Sequence, residues 1–208
     1  MAIRKFSWRR QFIFYLGLGI TVLWGIYAMA RPVDEVVLSI GESYEQVRRQ
    51  SRSTLPAIEP NANWGGSVSR PTRLRFVDPQ FGFVTPAGKF LAVKYDSNGN
   101  VDSVSLSPQA ATLPLDDAMT VVVDLQDQLR RGGWKPFREA RSQPIEDTPA
   151  KRTEIRKCSA PTSYWQADTK YQVSLNIRCF RSEDRPNDER YLITLDLGPP
   201  VFDDDPGD

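Results

Sequence analysis

Residues Gln11–Ala30 read QFIFYLGLGITVLWGIYAMA, and from Phe12 to Ala30 no side chain carries a charge. A helix rises about 1.5 Å per residue and a bilayer's hydrocarbon core is about 30 Å thick, so roughly 20 apolar residues reach across it. A soluble core helix rarely stays apolar all round, because one face normally meets water. Trp8 precedes the run, and Trp24 and Tyr27 sit near its far end, where amphipathic rings favour the headgroup zones. Arg4, Lys5, Arg9 and Arg10 lie before it, while Asp34 and Glu35 follow Arg31 after it. That bias predicts a basic cytoplasmic N-terminus over 1–10, a transmembrane signal anchor over 11–30 and an exported body, as in a single-pass protein of the bacterial inner membrane. The alternative is a cleaved signal peptide. Ala28-Met29-Ala30 has the form of a cleavage site, although the apolar run exceeds the usual 7–15 residues, roughly, of such a segment. Either way the rest of the chain is expected in the periplasm.

The remainder of the 208 residues suffices for one domain or two small ones. The formal net charge is +1, so no global field points to nucleic acid. Histidine is absent, which removes the commonest general base, the usual catalytic triad and the usual zinc and iron ligand sets. The two cysteines, Cys158 and Cys179, both fall in the exported part. In an oxidising compartment such a pair is expected to form a disulfide. Two free buried thiols, or metal or redox chemistry, are the other readings.

Pattern and punctuation divide the body into two units. In the first, 31–107, Pro32 favours a break at the membrane surface, and Val33–Leu38 reads as a short extended segment or a continuation of the membrane helix. Ser43 and Gln46 have the spacing of a capping box, with Ile40 and Val47 placed as a staple, predicting a helix from Tyr44 to about Ser53. Arg48, Arg49 and Arg52 fall on its exposed side, as a solvated face or as contacts for anionic lipid. Pro56–Pro71 reads as a loop holding Trp64. Strands are expected at 72–77, 81–85, 89–95 and 101–106, the last two joined by a turn at Asp96-Ser97-Asn98-Gly99-Asn100.

In the second unit, 108–200, Leu115, Ala118, Met119, Val122, Leu125 and Leu129 share one stripe of a helix over about 116–131. Asp116 and Asp117 suit its N-terminal end, Arg130 and Arg131 its C-terminal end, and Gly132-Gly133 stops it. Residues 138–153 read as a loop, and 154–158, 164–167, 170–180 and 190–197 as strands. Tyr171, Val173, Leu175, Ile177 and Cys179 point one way in the longest, and Gln172, Ser174, Asn176 and Arg178 the other. Residues 181–189 read as a charged loop and 201–208 as a disordered acidic tail. The fold class expected is α+β, two helix-plus-antiparallel-β-meander units behind one membrane helix, with the units sharing one sheet or forming two lobes.

Ile40-Gly41-Glu42-Ser43-Tyr44-Glu45-Gln46-Val47, with the later hairpin around Asp96–Val101, resembles the opening and closing motifs of the BamE/SmpA-type envelope domain over about residues 38–107. The resemblance implies a protein-binding envelope module. Two departures set limits: no lipoprotein cysteine follows the apolar run, and the family's Gly-x-Pro after the helix is missing.

No spacing of residues marks a catalytic, cofactor or metal site, so the expectation is a non-enzymatic protein-interaction domain with no cofactor. Its expected partners are the lipid bilayer and another envelope protein. Trp64, Trp134, Tyr164 and Trp165 are candidate contacts for that partner if exposed, and core residues otherwise. An immunity protein against a periplasmic toxin, a structural subunit of an envelope complex and a membrane-anchored enzyme without histidine are the alternatives.

Overall fold

The structure, a computed structural model, describes residues 15, 33–55, 63–139, 142–182 and 185–201. Apart from Tyr15, the expected anchor lies outside these residues, as does the acidic tail beyond Val201. Among the described residues no helix is long and apolar enough to cross a membrane. Residues from Asp34 onward make one compact unit.

Two sheets carry that unit. The smaller joins β1 (Asp34–Leu38), β3 (Thr72–Phe76) and β4 (Phe83–Val84) in the order β1-β3-β4. The larger takes β2 (Trp64–Ser67), β5 (Phe90–Tyr95), β6 (Val101–Ser107), β7 (Lys135–Pro136), β8 (Thr162–Ala167), β9 (Tyr171–Ser182) and β10 (Arg185–Gly198), in the order β2-β5-β6-β10-β9-β8-β7, every neighbour antiparallel. The two sequence units therefore share one sheet, joined where Leu106 faces Leu195 and Val104 faces Leu197. Three helices accompany the sheets: α1 (Tyr44–Gln50), α2 (Leu115–Arg131) and α3 (Pro149–Arg156).

Alternation decides which face of each strand is dry. Leu91, Val93 and Tyr95 of β5, Val173, Leu175 and Ile177 of β9, and Ile193, Leu195 and Leu197 of β10 are all at most 1% exposed. The stripe of α2 joins them in a single hydrophobic cluster, and all six of its expected core positions are buried. The hairpin of β5 and β6 turns where expected. The Asp96 carboxylate accepts from the Asn98 and Asn100 N–H groups, and Gly99 takes the left-handed conformation at φ +79°.

Several expectations need correction. The α1 capping box does not form, since the Ser43 side chain makes no cap bond. Ser43 instead bridges Asn100, and the Tyr44 N–H donates to Gly99 O, so the hairpin turn serves the helix start. The helix ends at Gln50 rather than near Ser53 because Arg52 turns back, its N–H donating to Glu35 O of β1. β1 pairs with β3 in parallel, so the first unit is not a pure antiparallel meander. Within the expected 56–71 loop, Trp64–Ser67 is a strand at the sheet edge.

The segment 149–156 is helix, not loop followed by strand. Thr148 Oγ1 accepts from the Lys151 N–H, and Pro149 opens the first turn, where its missing N–H costs nothing. Only Ile155 of α3 is buried, so the helix carries almost no periodic signal. The expected charged loop at 181–189 is mostly an extension of the β9–β10 hairpin.

Cys158, just past α3, is disulfide-bonded to Cys179 of β9 with Cα atoms 5.2 Å apart. The bridge spans 21 positions, for which the chain-entropy model gives about 3 kcal/mol. Replacing both cysteines by serine is expected to lower Tm by about 6–12 °C, read by thermal unfolding under non-reducing conditions.

Candidate functional site

The inner face of the large sheet is dry, and its outer face is open. Register places its residues in rows. Ala92 of β5 stands opposite Ser105 of β6, which faces Asp196 of β10, which faces Ser174 of β9, which faces Tyr164 of β8. A neighbouring row runs Phe90, Ser107, then Thr194, Asn176 and Thr162 on the far strands. Small hydroxyl and amide side chains dominate, as on the wet face of an antiparallel sheet.

Asp196 is the carboxylate at the middle of this face. Ser105 Oγ donates to its Oδ1 at 2.6 Å and Ser174 Oγ to its Oδ2 at 3.2 Å. Two neighbouring strands thus hold the carboxylate in one orientation while it stays exposed. A shallow concavity of about 500 Å³ surrounds it, lined by Lys94, Ser103, Tyr164, Gln172 and Val201 among others. The Gln172 side-chain oxygen accepts from the Val201 N–H, which seats the chain's exit beside the cavity. At the other end Asn176 Nδ2 donates toward Ala160 O, Pro161 O and Thr162 Oγ1 at 2.8–3.1 Å. It steadies a loop in which Cys158 and Ala160 both have positive φ. Chemically, a serine hydroxyl that donates to a carboxylate without a histidine remains a weak nucleophile. What the arrangement offers is an oriented acceptor for a cationic or hydrogen-bond-donating group.

The expected contact residues fare differently. Trp64 is buried, stacked on Tyr95 at 4.3 Å with Tyr44 edge-on at 5.3 Å. Trp134 is buried among Phe76, Phe81 and Phe83, its indole N–H donating to Phe81 O at 2.9 Å. Trp165 is fully buried, bonded to Ser163 Oγ and with the Arg130 guanidinium over its ring at 5.4 Å. These three indoles build the core and offer no ring to a partner. Tyr164 alone of the four lies on the open face, half-buried, with its ring 5.7 Å from that of Phe137. The residues that matter there, Asp196, Ser105 and Ser174, carry no motif. Their only trace in sequence is the polar parity of β9, where Gln172, Ser174 and Asn176 oppose the core positions.

A second polar cluster lies on the small sheet. Glu35 of β1 is 7% exposed, and its Oε1 accepts from Arg73 Nε at 2.7 Å and from Arg75 at 3.0–3.2 Å. Arg52 stands 3.9 Å from its other oxygen. Burial pushes the Glu35 carboxyl up, but the hydrogen bonds and charges of Arg75 and Arg73 outweigh it and hold the carboxyl below its ordinary value of 4.5. Asp78 behaves alike. Burial raises it, while the Phe81 and Gln80 N–H groups, the Tyr171 hydroxyl and Lys170 lower it further.

Among the described residues no group of three or more cysteines, aspartates or glutamates is placed to hold a metal ion. No family model matches the chain, and no curated protein or solved structure matches it either.

A carboxyl held low in the folded state adds stability above its unfolded pKa and loses it as pH falls through the folded value. Glu35→Gln is therefore expected to cost about 1–2 kcal/mol at neutral pH, limited by solvent screening of the half-exposed arginines. The gap to the parent should close on acidification below about pH 4. Denaturant melts of both proteins across pH check this, and a gap constant with pH would refute it.

Proposed function

We propose that this chain is a non-catalytic recognition domain, held at the outer face of the inner membrane, that binds another envelope protein on the open face of its large sheet. The observation that carries the reading is the exposed Asp196 carboxylate, oriented by Ser105 and Ser174 at the centre of that face. The partner presents a lysine or arginine to it, and the surrounding hydroxyls and amides of Ser103, Thr194 and Asn176 supply a polar, low-entropy surface around that contact. Exposed Phe90, at the margin of the same face, adds an apolar anchor.

The address is supported by the Cys158–Cys179 bridge, which belongs to an oxidising compartment, and by the apolar, uncharged run over 12–30. The resemblance of residues 38–107 to an envelope module points the same way.

A photoreactive residue placed at Ala92 or Thr194 in the full chain, in its own cells, is expected to give a discrete protein adduct. The same residue at Asp124, on α2, is expected to give none. Asp196→Lys should weaken the adduct by about tenfold or more, since it sets like charges against each other. Adducts that form equally from both positions, or that ignore Asp196→Lys, would overturn the assignment.

A further inference from the structure

The outer face of the small sheet differs in character from that of the large one. β1 and β3 run parallel with Glu35 beside Arg73 and Val37 beside Arg75, and Val84 of β4 continues the row across from Arg75. One residue beyond β3, Val77 donates its N–H to Leu38 O and leaves its side chain 44% exposed. Guanidiniums and valines thus share one surface. Glu35 gathers Arg52, Arg73 and Arg75, and Arg70 pairs with Asp34 at 3.0 Å. These four arginine side chains remain 35–63% exposed. Arg48 and Arg49 lie in the last turn of α1. Over residues 34–77 six arginines stand against five carboxylates, Asp34, Glu35, Glu42, Glu45 and Glu59, a surplus of one positive charge.

The chain supplies the location. Only Arg31, Pro32 and Val33 separate Ala30, at the end of the apolar run, from Asp34, where β1 begins. At about 3.5 Å per residue, that tether is at most roughly 14 Å long. That length is the most chain the sequence leaves between the end of the apolar run and the start of β1.

We propose that the Glu35-centred arginine face is a second membrane contact, seating the body on the anionic phospholipid headgroups of the bilayer that anchors it. The inference rests on the anchor reading of residues 11–30. Guanidiniums bind phosphate oxygens in pairs, and Val37 and Val77 lie between them as short aliphatic contacts for the interfacial zone. Glu35 acts as the organiser. It spreads three arginines across one plane without neutralising them all. Seated this way, the body has a fixed orientation, which fixes where the open face of the large sheet is presented.

The test uses the full chain reconstituted in nanodiscs of phosphatidylcholine alone or with phosphatidylglycerol added. An environment-sensitive fluorophore is carried on Val77→Cys, the native cysteines being bonded to each other, and a lipid bears a spin label at its headgroup. Quenching at position 77 is expected to be at least about twofold stronger in the anionic discs and to fall in high salt. A label on Val201→Cys, beside the large sheet, should be quenched far less. Arg70→Glu, the most exposed of the four arginines, should reduce quenching at 77 while far-UV circular dichroism stays unchanged. Quenching at 77 that is equal in both lipids, or equal to that at 201, would overturn the membrane seat while leaving the anchor in place. A chain that does not insert into the discs at all would overturn the anchor and the seat together.

Discussion

The ladder between β6 and β10 is the contact on which the rest of the molecule depends. It pairs Leu106, Ser105 and Val104 with Leu195, Asp196 and Leu197, and it joins three strands on one side and four on the other into one seven-stranded sheet. Without it β6 and β10 would each present an unpaired edge, and the dry faces of the two halves would form separate, smaller cores. The same ladder creates the polar row on the opposite side, because Asp196 can meet Ser105 only if β10 lies beside β6. Core and surface are thus products of one register. A slip by one residue would turn Leu195 and Leu197 to water and bring Asp196 inward.

Around that sheet, buried amides hold the irregular segments. Gln109 donates to Tyr191 O and accepts from the Ile193 N–H, clamping the connector after β6 onto β10. Gln126, 1% exposed on α2, donates to Ile145 O and accepts from the Ile145 N–H. A glutamine side chain carries the same donor and acceptor as a peptide group, so each one satisfies backbone groups that strand pairing leaves open. A different device serves at Gly88, where a Cβ would lie 1.8 Å from Ser107 O; only glycine lets that loop close on β6.

Legibility in the sequence followed the strength of periodicity. The α2 stripe and the dry parity of β9 could be read directly, because each repeats a local rule over many residues; turn residues marked the β5–β6 hairpin, and the count and expected compartment marked the cysteine pair. Three features could not. α3 buries a single side chain, Ile155, so its period is invisible, and only Thr148-Pro149 marks its start. The capping box of Ser43 was legible but empty, since a turn more than fifty residues away provides the acceptor instead. The parallel pairing of β1 with β3 depends on a partner that local pattern does not name. The tryptophans stayed open between core and contact for a related reason. Sequence gives their size and amphipathic character, while burial is decided by strands far away in the chain. Asp196 was likewise unremarkable until register set two serines beside it.

The last strand in sequence, β10, is central in space. In a chain made from its N-terminus, β5 and β6 exist long before the strand that covers the edge of β6. The sheet therefore cannot close until the residues around Leu197 are free to pair. Until then β6 has a bare edge and α2 an unshielded greasy stripe, an arrangement that invites binding by holding chaperones. Loss of residues 190–201 would remove most of β10 and part the β2-β5-β6 half of the sheet from the β9-β8-β7 half, so the latest-made strand is the one that makes the body whole.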